Sequence, residues 1–445
     1  LTHRSKTADG RATLISKSPF PVHRAITVSH LNPAVKGFHF CRMGVKETAG
    51  NTLIIFMTDK ANPCAEVIRH FEDMIDHCYD FAESAKAGGR RIVGIMCEFT
   101  PREVILAAGA VPVCLCGGSA ATIPDAEQVL PANLCPLIKS TYGYHVKGAN
   151  PFLKWADLVV AETTCDGKKK MFELMGATKP MHVLELPQKS NDATARANWI
   201  AEVRKFKDQL AKRFNVEITD NALREAIVLM NCERTYRRRL ASWMKQDLPP
   251  MTGRQLLDFK SIISGIEADL RHYEQALDLL EGGAAMPGSP KATGRRPVRV
   301  LLTGVPMAHG AERVMDLIEK AGATVVCMET CTGLKPILED VNPADPDPIR
   351  AIADKYYHLP CSVMTLNEDR FKSIKTLAAE YRPDCVIELV WQACLTYDVE
   401  SIRVRAMVET ELHLPYLKIT TDYSPSDSAR IEARIQALVE MTGVS

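Results

Sequence analysis

Several things are missing from this chain. There is no Walker A sequence, so a phosphate loop of that kind is not a basis for nucleotide hydrolysis. No C-x-x-C pair occurs, which is the usual spacing of structural zinc, and the radical-SAM triplet with three and two intervening residues is absent too. Neither sign of charge is in excess: 55 Lys and Arg stand against 54 Asp and Glu in 445 residues. That balance gives no electrostatic ground for a nucleic-acid or membrane partner. The most apolar run, 104–116, is interrupted by Gly109 and Pro112 and is too short to span a bilayer. The opening LTHRSKTADGRATLISK holds no apolar stretch of secretory length. Together these point to a cytoplasmic protein whose thiols stay reduced.

Cysteine, by contrast, is plentiful. The chain has 14 of them, and in a reducing compartment disulfides do not account for them. Cys41, Cys64, Cys78, Cys232 and Cys385 fit ordinary core positions, since a free thiol buries readily. Six others recur as two triplets: Cys116, Cys135 and Cys165, then Cys331, Cys361 and Cys394. EVILAAGAVPVCLC aligns with RVMDLIEKAGATVVCMETC, LPANLC with YHLPC, and DLVVAETTC with DCVIELVWQAC. The second and third members are 30 residues apart in the first copy and 33 in the second. Cys114 and Cys327 stand beside Cys116 and Cys331 and could exchange roles with them. Cys97 is a further rival, without a cysteine counterpart near Val305-Pro306.

Organisation along the chain supports the duplication. Residues 1–90 read as an N-terminal extension with a strand-like NTLIIFMTD and a helix-like AEVIRHFEDMIDHCYDFAESAKA ending at Gly88-Gly89. Residues 91–190 alternate strand and helix, through RRIVGIM, VPVCLC, WADLVVAETT and MHVLELP. Residues 191–283 carry only helical periodicity, with a basic run from Arg234 to Arg239 that reads as a solvated face. A Gly/Pro/Ser-rich linker spans 284–297. Alternation returns over 298–445 in VRVLLTG, TVVCMET, DKYYHLP, DCVIELVWQ and LPYLKITTD. Such patterns predict an α/β fold: two duplicated Rossmann-like or flavodoxin-like parallel-sheet domains with a helical insert between them.

In open parallel sheets, ligands gather beyond the carboxyl ends of the strands. Cys116, Cys165, Cys331 and Cys394 fall there, and Cys135 and Cys361 are expected to open helices, whose N-termini favour a thiolate. Each copy could thus focus three sulfurs on one point, a count that suits a cubane iron–sulfur cluster. Gly117-Gly118-Ser119, and Leu302-Thr303-Gly304 with Gly310, lack the full glycine pattern of a nucleotide loop and read as tight turns.

The stretches CEFTPREVILAAGAVPVC, NLCPLIKSTYG, ETTCDGKKKMFELMG, VCMETCTGLKP, IELVWQAC and LPYLKITTDYSPSD resemble the 2-hydroxyacyl-CoA dehydratase and benzoyl-CoA reductase superfamily. Within it they are most similar to the double-cubane cluster proteins. The resemblance runs from about Cys97 onward, apart from the helical insert. It implies two cubanes joined by a sulfide, an assembly of about eight iron and nine sulfur atoms held by the six cysteines; one or two separate four-iron clusters are the alternative. It also implies a separate ATP-hydrolysing iron–sulfur activator as electron donor, a small-molecule substrate and a homodimer. On this reading the protein is a low-potential iron–sulfur reductase. The alternatives are a radical 2-hydroxyacyl-CoA dehydratase or aryl-CoA reductase component, and a non-enzymatic electron carrier. Lys139, Tyr142, His358, Glu388 and Gln392 are nearest in sequence to the six cysteines and are the candidate proton donors.

Overall fold

The short runs of Val, Ile and Leu form two four-stranded parallel sheets. The computed structural model describes residues 62–291 and 296–443, all within one compact unit. NTLIIFMTD, Cys41 and part of the linker lie outside the described residues. The first sheet comprises β1 (Ile92–Ile95), β2 (Val111–Cys114), β3 (Leu158–Glu162) and β4 (Met181–Leu184), in the order β2-β1-β3-β4. The second comprises β5 (Val298–Gly304), β6 (Ala323–Glu329), β7 (Cys385–Trp391) and β8 (Tyr416–Thr421), in the order β6-β5-β7-β8. The two orders are the same, and every pairing is parallel. Central strands are buried along their whole length, as sheets covered on both faces require, whereas β4 and β8 at the edges are only half-buried.

A repeated detail marks the duplication at the level of hydrogen bonds. Asp157, just before β3, accepts from the backbone N–H of Ile92 at 2.8 Å. Asp384, just before β7, accepts from the backbone N–H of Arg299 at 2.8 Å. Each carboxylate is held below its ordinary pKa: burial works against the charge, and Lys86 in the first copy and Arg296 in the second overcome it. One continuous apolar core joins the halves, with Val113, Val159 and Ala161 in the same cluster as Val300, Ile387 and Leu389. DKYYHLP differs from its expected place in the alternation. Its DKYY belongs to the helix Pro348–Tyr357, started by Asp347, whose side chain accepts from the N–H groups of Ile349 and Arg350.

The helical segment ties the halves together. Helix Ala193–Phe214 docks on Pro348–Tyr357: the Trp199 indole N–H donates to the Ala353 carbonyl at 3.0 Å, and Arg196 pairs with Asp354 at 2.5 Å. Helix Asp220–Ser242 reaches both halves, and the expected solvated face holds for Arg239 but is overturned at Arg234. Arg234 is buried and ion-paired with Glu103 of the first half, while Tyr356 of the second donates its hydroxyl to Glu103 at 2.8 Å. Arg238 pairs with Asp340 at 2.6 Å and Arg239 with Glu281 at 2.5 Å. Tertiary partners, invisible in a local charge run, decide this face.

Helices Pro63–Glu72 and Met74–Ala87 realise the expected helix as two, broken at Asp73. They bring His70 and His77 onto Asp269 of helix Glu267–Glu281, at 2.8 and 3.2 Å, with the His70 ring stacked on those of His77 and His272. Burial disfavours the charge on His77, but hydrogen bonds to Asp269 and Cys78 outweigh it and raise its pKa to about 10.

Two outcomes follow. Arg234→Met strands the Glu103 carboxylate and should cost about 3–5 kcal/mol in urea unfolding, with the double variant Arg234→Met/Glu103→Met recovering most of it. Because His77 has a folded pKa near 10 against 6.5 ordinarily, its contribution is complete below pH ~6.5 and is lost as pH rises towards 10. His77→Gln should therefore flatten the alkaline fall of stability while leaving its acid limb in place; an unchanged alkaline slope would contradict this assignment.

Candidate metal centre

The cysteines follow the strand ends at matching offsets. Cys116 stands two residues past β2 and Cys331 two past β6. Cys165 and Cys394 stand three past β3 and β7, each capping the next helix, Asp166–Gly176 and Leu395–Thr410. Cys135 caps helix Pro136–Lys147. Cys361 does not open a helix as expected. It begins a turn in which the Met364 N–H donates to its carbonyl at 3.0 Å, and the next helix starts at Glu368. The acidic first turn Glu368-Asp369 places the helix start there, where it complements the helix dipole. Ala393 has φ 58°, a left-handed turn between β7 and Cys394 that costs a non-glycine residue about 1–2 kcal/mol.

Folding brings all six predicted thiols into one neighbourhood. Cys135 and Cys394, one from each half, are close neighbours that shift each other's pKa, and so are Cys331 and Cys361. Cys165 lies in the electrostatic field of Cys361 and Cys394. Lys168 sits among Cys97, Cys116, Cys165 and Glu162; burial opposes its charge, but the pull of these acidic groups raises its pKa. Its ammonium donates to the Met96 carbonyl at 2.8 Å, which also accepts from the Cys116 thiol at 3.4 Å. Cys135 is held below the ordinary thiol range by Cys394 and by the N–H groups of Leu137 and Ile138, and Cys361 likewise by Cys331, despite burial. Lys335, paired with Glu329 at 2.8 Å and donating to the Tyr397 hydroxyl at 3.1 Å, brings positive charge to Cys331 and Cys361.

The neighbouring cysteines separate clearly. Cys327 is buried inside β6, away from this group, near Glu329, Glu380 and Lys245. The Cys114 thiol turns to Arg102, which donates to it at 3.7 Å. Cys97, in contrast, joins the group beside Lys168, Cys331 and Cys361. Its signal was present in the sequence: it follows β1 by two residues, the same offset as Cys116 after β2. Seven thiols therefore converge.

The five candidate proton donors are engaged elsewhere or face outward. Lys139 is tied to Glu127 at 2.7 Å and to the Ala132 carbonyl at 2.8 Å. Tyr142 is packed in the core. The Glu388 carboxylate accepts from Arg370 at 3.1 Å and Tyr416 at 2.6 Å, and the His358 side chain is half-exposed beside Glu339. Gln392 is exposed. Glu162 is the acid that the sequence reading missed. It is fully buried near the thiols; one carboxylate oxygen accepts from the Thr100 hydroxyl, the other has no hydrogen-bond partner among the described residues, and burial pushes its pKa up to about 7.

The two glycine loops are contact surfaces. A Cβ on Gly118 would lie 2.3 Å from the carbonyl oxygen of His309, and Gly310 packs back against Gly118. Backbone fills the space that a phosphate would need.

A family model, 2-hydroxyglutaryl-CoA dehydratase, D-component, matches residues 97–442. The chain belongs to that family, and so to the 2-hydroxyacyl-CoA dehydratase and benzoyl-CoA reductase superfamily. The D-component match begins at Cys97 and takes in all seven thiols. A putative dehydratase subunit, YjiM, of Escherichia coli is 40% identical over 80% of this chain and 92% of its own length. The lactoyl-CoA dehydratase subunit beta of Anaerotignum propionicum is 24% identical over 79% and 92%. The (R)-2-hydroxyglutaryl-CoA dehydratase subunit beta of Acidaminococcus fermentans is 21% identical over 80% and 93%.

The spacing of the D-component thiols bears on what they could hold. Among the described residues, the one set of three His, Cys, Asp or Glu ligand atoms lying within 4.8 Å of one another is that of His70, His77 and Asp269. No three of the sulfurs come that close. Four thiolates on one zinc, at about 2.3 Å each, would sit about 3.8 Å apart. Sulfurs gathered in one place yet set more widely suit a multi-iron cluster better than a single ion.

Proposed function

We propose that the protein is a low-potential iron–sulfur reductase acting on a small substrate. The observation that carries this reading is the convergence of thiols from both halves of a single chain. Five of the ligands are Cys135, Cys165, Cys331, Cys361 and Cys394. The sixth comes from the pair flanking Lys168, Cys116 and Cys97, with Cys116 favoured by the repeat. When bound, a double cubane would supply single electrons at low potential. The chain's own part is to hold the thiolates, exclude water and set the charge around them. Lys168 and Lys335 offset thiolate charge, and the Met96 carbonyl fixes the Lys168 ammonium at 2.8 Å. Electrons would come from a separate ATP-hydrolysing iron–sulfur activator, as the resemblance to the double-cubane cluster proteins implies. A homodimer fits the common pattern of soluble oligomers.

A second reading is a radical 2-hydroxyacyl-CoA dehydratase component, favoured by the names of the relatives above. Iron and sulfide analysis on anaerobically purified protein separates the two. About eight iron per chain is expected here, and about four would establish the dehydratase type. Cys361→Ser and Cys394→Ser should each abolish cluster absorption while the far-UV spectrum stays intact; zinc alone, or intact clusters in both variants, would defeat the ligand assignment. Cys116→Ser and Cys97→Ser, compared for iron content, identify the sixth ligand. Substrate turnover with reduced activator then separates an enzyme from an electron carrier.

A further inference from the structure

We propose that the cavity lined by Lys260, Arg237 and Cys331 binds a small carboxylate anion, which is the substrate class of the site. The substrate role rests on the reading above; the binding site itself does not. The cavity has a volume of about 70 Å³ and lies between helix Asp220–Ser242, the segment at Lys260–Ser264, the end of β2 and the loop after β6. That is room for roughly two or three waters, so it admits an anion of a few heavy atoms and not the bulk of a CoA thioester.

Its charge is one-sided. Five basic side chains, Arg102, Arg234, Arg237, Lys260 and Lys355, share the wall with only two carboxylates, Glu98 and Glu233, and burial pushes Lys355 well below the usual lysine range. Three of the five are already engaged. Arg102 pairs with Glu98 at 2.8 Å, Arg234 pairs with Glu103, and the Lys355 amine donates to the Pro336 carbonyl at 2.9 Å. The remaining two are under-used. Arg237 reaches Glu233 only at 3.8 Å, and that carboxylate also accepts from the Gly265 N–H at 2.9 Å. The Lys260 ammonium has no hydrogen-bond or ion-pair partner among the described residues; burial and Arg237 hold its pKa below the usual range, against the smaller pull of Glu98, Cys114 and Glu312.

A partly buried, unpaired cation is costly, and an anion beside it removes that cost. A guanidinium fork next to an ammonium suits the two oxygens of a carboxylate, since Arg binds that planar group bidentately. Cys331 lines the same cavity. A bound anion would thus lie against the thiol group, where electrons would be delivered.

The test is calorimetric titration of sodium acetate into protein purified anaerobically with its native metal content, at constant ionic strength. Saturable single-site binding is expected. Lys260→Gln should weaken it about tenfold, equivalent to about 1.4 kcal/mol. Lys375→Gln, which removes an exposed ammonium paired with Glu411 at 2.6 Å, should leave it unchanged. Lys260→Met should melt no lower than the parent without acetate, and acetate should no longer raise its melting temperature. No saturable binding, equal loss in both glutamine variants, or a lower melting point for Lys260→Met would overturn the proposal. Acetate binding to protein that lacks iron–sulfur cluster in the iron analysis would leave the anion site standing and remove the redox reading instead.

Discussion

Gly118 and Gly310 meet backbone to backbone, and the approach leaves no room for a Cβ on Gly118. This contact holds the carboxyl ends of the two sheets together. Around it, Tyr423 of the second half donates to the Gly117 carbonyl at 3.3 Å, and Trp391 donates to the Pro306 carbonyl at 3.0 Å and packs edge-on against Tyr423. Each sheet alone offers thiols past its strand ends. With the shared core and the helical segment, this contact turns two sets of loops into one site, where Cys135 from one half lies beside Cys394 from the other.

Concentrating sulfurs in a buried place raises an electrostatic problem, and the surroundings answer it with fixed charge. Lys168 stands on the side of the first sheet and Lys335 on the side of the second. Lys335 is itself part of a buried network in which Arg370 contacts Glu329, Glu388 and Glu400 at 3.3, 3.1 and 2.5 Å. Such a network is strongly destabilised by losing any one member, so it holds the Lys335 side rigid. The helical segment performs the same service from outside, with Arg234 joining Glu103 of one half to Tyr356 of the other.

Membership of the dehydratase D-component family is compatible with more than one chemistry, because a family's activity resides in its sites. The relatives above carry dehydratase names, whereas two features of this chain favour a small-substrate reductase: the number of thiols gathered by one chain, and a cavity of about 70 Å³ rich in basic side chains and lined in part by Cys331.

The sequence by itself determined the duplicated α/β fold and the six recurring cysteines. Strand periodicity is local, and a repeat is visible without any structure. It also placed Cys116, Cys165, Cys331 and Cys394 past strand ends, since chain order and strand length decide that. Tertiary structure alone decided which thiols meet. Cys114 and Cys116 are two residues apart, yet one turns to Arg102 and the other to the Met96 carbonyl, because Cys114 is the last residue of β2 and Cys116 lies in the loop beyond it, where strand alternation no longer holds. Cys97, discounted for want of a repeat partner, joins the group because β1 is central in its sheet and its loop opens at the same edge. The basic run at Arg234–Arg239 and the unpaired Lys260 were equally unreadable in one dimension, because a charge acquires a partner, or lacks one, only when distant elements pack against it.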